Sequence, residues 1–248
     1  MYAGTLTADQ AAAKNHQTAY FAIAPFMGHG PHLPLAASIM LARSFAEEIS
    51  SRIDAFMLPV QPFGAPFEYD GQYNVCVDSG MLYEMALDIA RNLRRQGFRR
   101  LVLHQGYRGL SILYHLTRHL NAAENIKTAL VNPFELLHAY GGILDGDGNY
   151  HACELQTSLM MHLYPDSVRY GKIRDIDFVP DVPAQYLKYK PPGAYCPDGV
   201  WGRPSLASAE KGEKLFLKGV ELSTAAIREA FAFMDANGDY TGGREMID

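Results

Sequence analysis

The apolar run Ala19-Tyr20-Phe21-Ala22-Ile23-Ala24-Pro25, followed shortly by His29-Gly30-Pro31-His32-Leu33-Pro34-Leu35, decides the fold. A short continuous apolar run with aromatic and branched residues reads as a buried strand. The segment from about Ala36 to Ile53 then places Ile39, Leu41, Phe45 and Ile49 at helical spacing, so strand, loop and helix follow one another. Gly30 and Pro31 restrict the loop between them, which aims both imidazoles instead of leaving them mobile. In an open α/β sheet, ligands bind outside the carboxyl ends of the strands, so a loop in this place is a candidate active-site loop. No Asp or Glu lies between Lys14 and Glu47. A pair of His without a carboxylate is a poor cage for a divalent metal.

The alternation continues outward. Ala55 to Val60 reads as a second strand and Gly80 to Gln96 as a helix stopped by Gly97. Leu101 to His104 reads as a third strand, about Gly109 to Ala122 as a helix, and Lys127 to Val131 as a fourth strand. A helix is expected from Cys153 to Leu163, and a long terminal one from Ser208 to Met234, capped by Ser208. Strands alternating with helices imply a mainly parallel sheet covered on both faces, a three-layer α/β/α architecture, here taken as one domain over residues 1–248. Gln61 to Val77 reads as a Pro-, Gly- and aromatic-rich loop, and Arg174 to Pro204 as an ordered excursion suited to a lid or a subunit contact. Asp145-Gly146-Asp147-Gly148-Asn149 and Asp235-Ala236-Asn237-Gly238-Asp239 lack the closing Glu of a calcium loop and read as turns.

With 248 residues, 48% of them hydrophobic and 20% charged, the chain is long enough for a large core. A net charge of -5 with no basic stripe excludes nucleic acid as an expected partner. No run is long enough to span a bilayer and residues 1–18 lack a signal-peptide core, so no membrane association is expected. Three cysteines, at 76, 153 and 196, form no CxxC pair, which points to a reducing cytoplasm.

Four ordered blocks resemble the creatininase (creatinine amidohydrolase) family. The His29 to Leu35 stretch resembles the core of that family's Glu-Gln-His-Gly-Pro-His-Leu-Pro-Leu-Gly-Thr-Asp segment. Gly97 to Leu103 resembles the strand leading to its Asn-Gly-His loop. His151-Ala152-Cys153-Glu154-Leu155-Gln156-Thr157-Ser158 resembles its His-Ala-Gly-Glu-x-Glu-Thr-Ser block, and Gly199 to Gly212 its Gly-Asp-Pro and Ala-Glu-Lys-Gly block. The resemblance implies a creatininase-like fold, a small-molecule substrate, a homo-oligomer (a hexamer) and a site holding two divalent ions. The chain departs from the pattern at the ligands. Met27 stands at the first Glu, Ser38 at the bridging Asp, Tyr107 at the second-loop His, Gly109 at its companion ligand and Gln156 at the third-block Glu, while His29 is kept. Neutral Met, Ser and Gln cannot offset the charge of two divalent cations, and Arg108 adds a positive charge beside them. The expectation is therefore that the two-metal centre is absent and that no cofactor is used. The alternative is one rebuilt zinc site drawn from His29, His32, His104, His151, Cys153 and Glu154.

The resemblance puts His151 at the family's proton-moving His. Glu154 either orients His151, as a carboxylate does in a triad, or caps the following helix. Tyr107 is expected to donate to a carbonyl and His29 to share the catalytic work. His32, Ser38, His104, Gln105, Arg108 and Gln156 are expected around the substrate, with Arg108 suited to a bidentate grip on a carboxylate. Each has a plainer reading as well, His104 as a satisfied strand-end histidine, Tyr107 as packed aromatic and Ser38 as a residue of a helix start. Three functions follow: metal-independent opening or closure of a cyclic amide by His/Tyr/Arg acid–base catalysis; a metal-dependent amidohydrolase with a rebuilt site; or a non-catalytic relative that binds a small molecule or steadies a partner.

Overall fold

The computed structural model describes residues 3–64, 73–146, 150–176, 189–190 and 192–237. Four strands, β1 (Thr18–Ile23), β2 (Phe56–Met57), β3 (Arg100–Gln105) and β4 (Lys127–Val131), form one sheet in the order β2-β1-β3-β4. Every pairing is parallel, with Tyr20 beside Val102 and Met57, and His104 beside Val131. The helices are α1 (Ala8–Lys14), α2 (Ala37–Arg52), α3 (Ser79–Arg95), α4 (Ile112–Ala123), α5 (Pro133–Tyr140), α6 (Glu154–Leu163) and α7 (Ala209–Ala236).

The chain first moves from β1 to β2 through α2, then crosses back over β1 and moves the other way. Parallel crossovers are right-handed, so reversing the direction must put the helices on the opposite face. That is what is found. Leu41, Phe45 and Ile49 of α2 share one core with Tyr20, Ala22 and Val102. Leu82 and Ala86 of α3 and Leu113, Leu116 and Leu120 of α4 share the other with Ala19, Phe21, Leu101 and Leu103. Successive strand residues supply alternate faces, so both cores come from the same strands. Helices α5, α6 and α7 complete the α2 side. The reversal leaves a switch point between the carboxyl ends of β1 and β3.

The expected strands and helices are present with boundary shifts. β2 is shorter than Ala55 to Val60, and α4 begins at Ile112, because the residues after β3 turn before they coil. Two helices escape the hydrophobic pattern: α1, built on a Thr7–Gln10 capping box, and α5, started by Asn132 and Pro133. Ser208 caps α7 as expected, its Oγ accepting from the Lys211 amide at 3.1 Å. Gly212 lets α7 approach α6, since a Cβ there would stand 2.0 Å from the Ser158 carbonyl oxygen. Asp235 lies inside α7 and not in a turn; it accepts from Arg100 at 2.6 Å and Lys127 at 2.8 Å, tying that helix to β3 and β4. Positions 65–72 of the Gln61 loop, 147–149 of the Asp145 turn and 177–188 of the Arg174 excursion lie outside the described residues. Among the described residues, no helix is long and apolar enough to cross a membrane.

Candidate active site

Three segments meet at the switch point: the loop after β1, the loop after β3 and the start of α6. Gly30, at φ +66°, makes the turn between the two imidazoles of the first loop, and a Cβ there would press within 2.5 Å of Val200. The Met27 carbonyl can only accept, so His29 Nδ1–H donates to it at 2.9 Å. Nε2 of the neutral ring then accepts from the Ser38 hydroxyl at 2.8 Å. Met27, His29 and Ser38 are all fully buried. Burial pushes the His29 imidazole down to about 4, opposed by its bond to Met27 and reinforced by nearby His32.

His151 follows the same logic. Its Nε2–H donates to the Gly28 carbonyl at 2.8 Å, which places the ring lone pair on Nδ1. Backbone bonds in both directions with Trp201 hold the residue in place. Burial, and then the neighbouring His29, hold its imidazole well below the usual range. The rings of His29 and His151 lie 4.6 Å apart, and Tyr107 meets His151 edge-on at 6.1 Å. Ala152 takes the left-handed conformation, at φ 45°, and its amide donates to Gln156 Oε1 at 2.5 Å, so Gln156 secures the turn that presents His151.

A small cavity opens beside this cluster, lined by Tyr107, Arg108, His138, Tyr150, Cys153 and Gln156 among others, with a volume of about 20 Å³. That is room for about one water molecule. Arg108 sits exposed at its rim with its guanidinium 5.5 Å from the Tyr150 ring centroid. His138 is pushed down to about 4 by burial and by the charge of Arg108, and burial pushes the Cys153 thiol up to about 11. His138 was not visible as a site residue in the sequence; a single His in a short helix carries no pattern.

The structure thus brings His29, Ser38, His151, Tyr107, Arg108 and Gln156 to one end of the sheet. Others go elsewhere. Glu154 does not bond to His151. Its carboxylate accepts from the amides of Asp145 and Gly146 and from Lys211 at 2.5 Å, a buried anchor between a loop and α7. His104 points into the α2-side core, where Nδ1 pairs with the Tyr20 hydroxyl at 3.1 Å; burial drives its imidazole down to about 3. His32 pairs through Nε2 with Thr157 Oγ1 at 2.9 Å. Ser38 faces His29, and Ser38, His29 and His151 lie buried beside the cavity without being among the residues that line it. Gln105 lines a different cleft.

The donors present do not fit the two-metal centre that the resemblance implies. Its positions hold a thioether, a hydroxyl, a phenol, a glycine and an amide, with no carboxylate to bridge or neutralise cations. The one retained imidazole has both nitrogens engaged. Among the described residues, no group of three or more His, Cys, Asp or Glu is placed to hold a metal ion, so the rebuilt single-zinc alternative has no donor set either.

The family model for creatinine amidohydrolase matches residues 5–227. The chain belongs to the creatininase family. The curated creatinine amidohydrolase of Pseudomonas putida is 25% identical over 228 residues, covering 82% of this chain and 85% of that one. A creatininase crystal structure superposes with a TM-score of 0.77 at 23% identity, covering 93% of this chain and 97% of the other. A putative creatinine amidohydrolase from Bacteroides fragilis gives 0.75 at 23% identity, covering 93% and 96%. A manganese form of creatininase gives 0.74 at 24%, covering 93% and 98%. These structures share the creatininase fold.

Proposed function

We propose that this creatininase-family protein opens, or in reverse closes, a small cyclic amide without a metal ion. The observation that carries the reading is the neutral donor set around a paired His29 and His151, where the family pattern calls for anions. In the forward direction, water attacks the ring carbonyl carbon while His151 Nδ1 takes its proton. The Tyr107 hydroxyl donates to the carbonyl oxygen as charge develops there. The ring C–N bond breaks, and His151 returns the proton to the leaving nitrogen, so one water is consumed and an acid and an amine result. Closure retraces these steps and releases water. His29 is a positioning residue: fixed between Met27 and Ser38, it keeps the neighbouring ring neutral and able to accept a proton. Arg108, at the rim, suits a substrate carboxylate.

The test is turnover on a panel of cyclic amides, with creatinine, lactams and hydantoins among them. His151→Ala is expected to lower kcat by about two to four orders of magnitude, the usual worth of a general acid–base group. Arg108→Ala is expected mainly to raise KM. Turnover abolished by chelation would instead establish a metal enzyme. The small volume of the cavity favours, as a second reading, a non-catalytic relative that steadies a partner; stabilisation of a partner with no turnover on any substrate would establish that. We further propose that the protein works in the cytoplasm as a homohexamer. Cys76, Cys153 and Cys196 form no disulfide, which supports the compartment, and the family resemblance supports the assembly.

A further inference from the structure

Helices α3 and α4 bring a second cluster of titratable side chains together, on the face of the sheet opposite α2. Tyr83 of α3 meets His119 of α4 through a bond between the phenol hydroxyl and Nδ1. On the far side of the ring, Nε2 stands 3.4 Å from Oε1 of Glu124, the residue that ends α4. Arg91 of α3 reaches across and donates to the same oxygen, from Nε at 3.0 Å and Nη2 at 2.6 Å.

These contacts fix where the protons sit. The Arg91 bonds hold the Glu124 carboxylate below its usual range, so it is an anion and can only accept. The His119 ring therefore turns its Nε2–H toward Glu124 and keeps its lone pair on Nδ1, and the Tyr83 hydroxyl donates to that lone pair. The order is hydroxyl, imidazole, carboxylate, as in a catalytic triad, with a phenol in the place of the serine. When the ring takes up the phenol proton, the imidazolium faces a fixed anion. The cluster is open to solvent: the His119 side chain is 32% exposed and Tyr83 is half-buried.

We propose that Tyr83 is a nucleophile that accepts an acyl group from a small activated acyl donor, with His119 as its base and Glu124 as the positioning residue that orients the ring. The phenol oxygen forms a bond to the acyl carbon as its proton passes to His119 Nδ1. The bond from the acyl carbon to the leaving group breaks, the leaving group departs with the electron pair, and His119 returns the proton to it. An aryl ester at Tyr83 results. None of these residues belongs to the site around His151, so the proposal stands or falls independently of the ring-opening reaction.

The probe is N-acetylimidazole, added in limiting amount to the intact protein near neutral pH, with peptide mass spectrometry following each tyrosine in time. Tyr73 and Tyr170, 81% and 54% exposed, are the internal references. Tyr83 should be acetylated at least about tenfold faster than either, although it is less exposed, because only it has a base on its hydroxyl. His119→Gln keeps an acceptor for the phenol but cannot carry its proton; it should slow acetylation of Tyr83 about a hundredfold and leave Tyr73 and Tyr170 unchanged. Glu124→Gln should slow Tyr83 as well, and Tyr83→Phe should remove the fast-reacting site. A purely structural tie between the helices would lower the melting temperature in these variants without changing which tyrosine reacts first. Acetylation of Tyr83 no faster than that of Tyr170 in the wild type, or an unchanged Tyr83 rate in folded His119→Gln, would overturn the proposal. The comparison within the wild type decides it where a variant fails to fold.

Discussion

Replacing Lys211 with Met tests whether Glu154 belongs to the fold or to the chemistry. Glu154 opens α6 with its side chain fully buried, and the ammonium that faces it has a side chain only 20% exposed. Lys211 also donates to the Leu206 carbonyl at 2.6 Å and pairs with Asp145 at 2.8 Å. Met preserves the stem and removes the charge. The carboxylate keeps its two amide donors, from Asp145 and Gly146, but loses the cation that faces it. Breaking a buried pair from one side costs about 3–5 kcal/mol. At about 2–4 °C per kcal/mol for a chain of this size, the melting temperature should fall by roughly 6–20 °C. The double variant Lys211→Met with Glu154→Gln removes the stranded charge and should recover most of that loss. Calorimetry and urea titration on the wild type, both singles and the double measure the cycle. A loss below about 1 kcal/mol for Lys211→Met, the range of an exposed pair, would refute the anchoring role. So would a Glu154→Gln protein with unchanged stability and strongly reduced turnover, which is the signature of a carboxylate that orients His151.

The remaining predictions concern protons, metal and assembly. Buried histidines bind protons more weakly folded than unfolded, so stability falls as pH drops from 6.5 toward 4; for His29, pushed down to about 4, the loss amounts to about 3 kcal/mol. Urea titrations at pH 7, 5.5 and 4.5 check this, and constant stability across the range would contradict the burial of these imidazoles. For the same reason the acid limb of kcat/KM should lie well below 6.5, and not in the ordinary imidazole range that an exposed histidine would give. Elemental analysis of protein purified without chelator should show substoichiometric zinc and manganese, with no change in melting temperature on adding EDTA; one or two tightly bound ions per chain would contradict the proposed chemistry. Light scattering at micromolar concentration should give a hexamer, and a monomer would exclude it.

How far the sequence could be read differs between fold and site. Period and length signals recover all four strands and the parallel α/β arrangement, because buried parallel strands are nearly continuous apolar runs such as Ala19 to Ile23 and Leu101 to Leu103. Helix α5 is missed because its evidence is local, an Asn-Pro start and not an apolar stripe. At the site, residues positioned by their own backbone loop are legible: His29, His151, Tyr107 and Arg108 all reach the carboxyl end of the sheet. Residues whose partners are distant in sequence are not. Thr157 lies 125 residues from the His32 it bonds, and Lys211 lies 57 residues from Glu154. Gln105 and His104 are adjacent on a strand and so must face opposite sides; at most one could enter a given pocket, so the pleat rules out both lying around one substrate.

The residues at the positions where the resemblance implies metal ligands make sense together and not one at a time. The buried His29 imidazole needs a partner at each nitrogen; Ser38 supplies the donor for one, and the Met27 carbonyl fixes which nitrogen receives it. Gln156 gives the Ala152 amide an acceptor without burying a charge. His151 is turned by the Gly28 carbonyl so that its basic nitrogen is Nδ1. A divalent ion entering this cluster would have to displace the Ser38–His29 bond, at about 1 kcal/mol, and would meet no anion to offset its charge, which is the far larger obstacle. A closely packed set of neutral imidazoles has one chemical capacity left that a hydrophobic core lacks: it can take up and return a proton, at the cost that burial sets. That capacity is what amide-ring opening needs at its carbonyl and at its nitrogen, and it is why the proposed reaction turns on His151 and not on a metal-bound water.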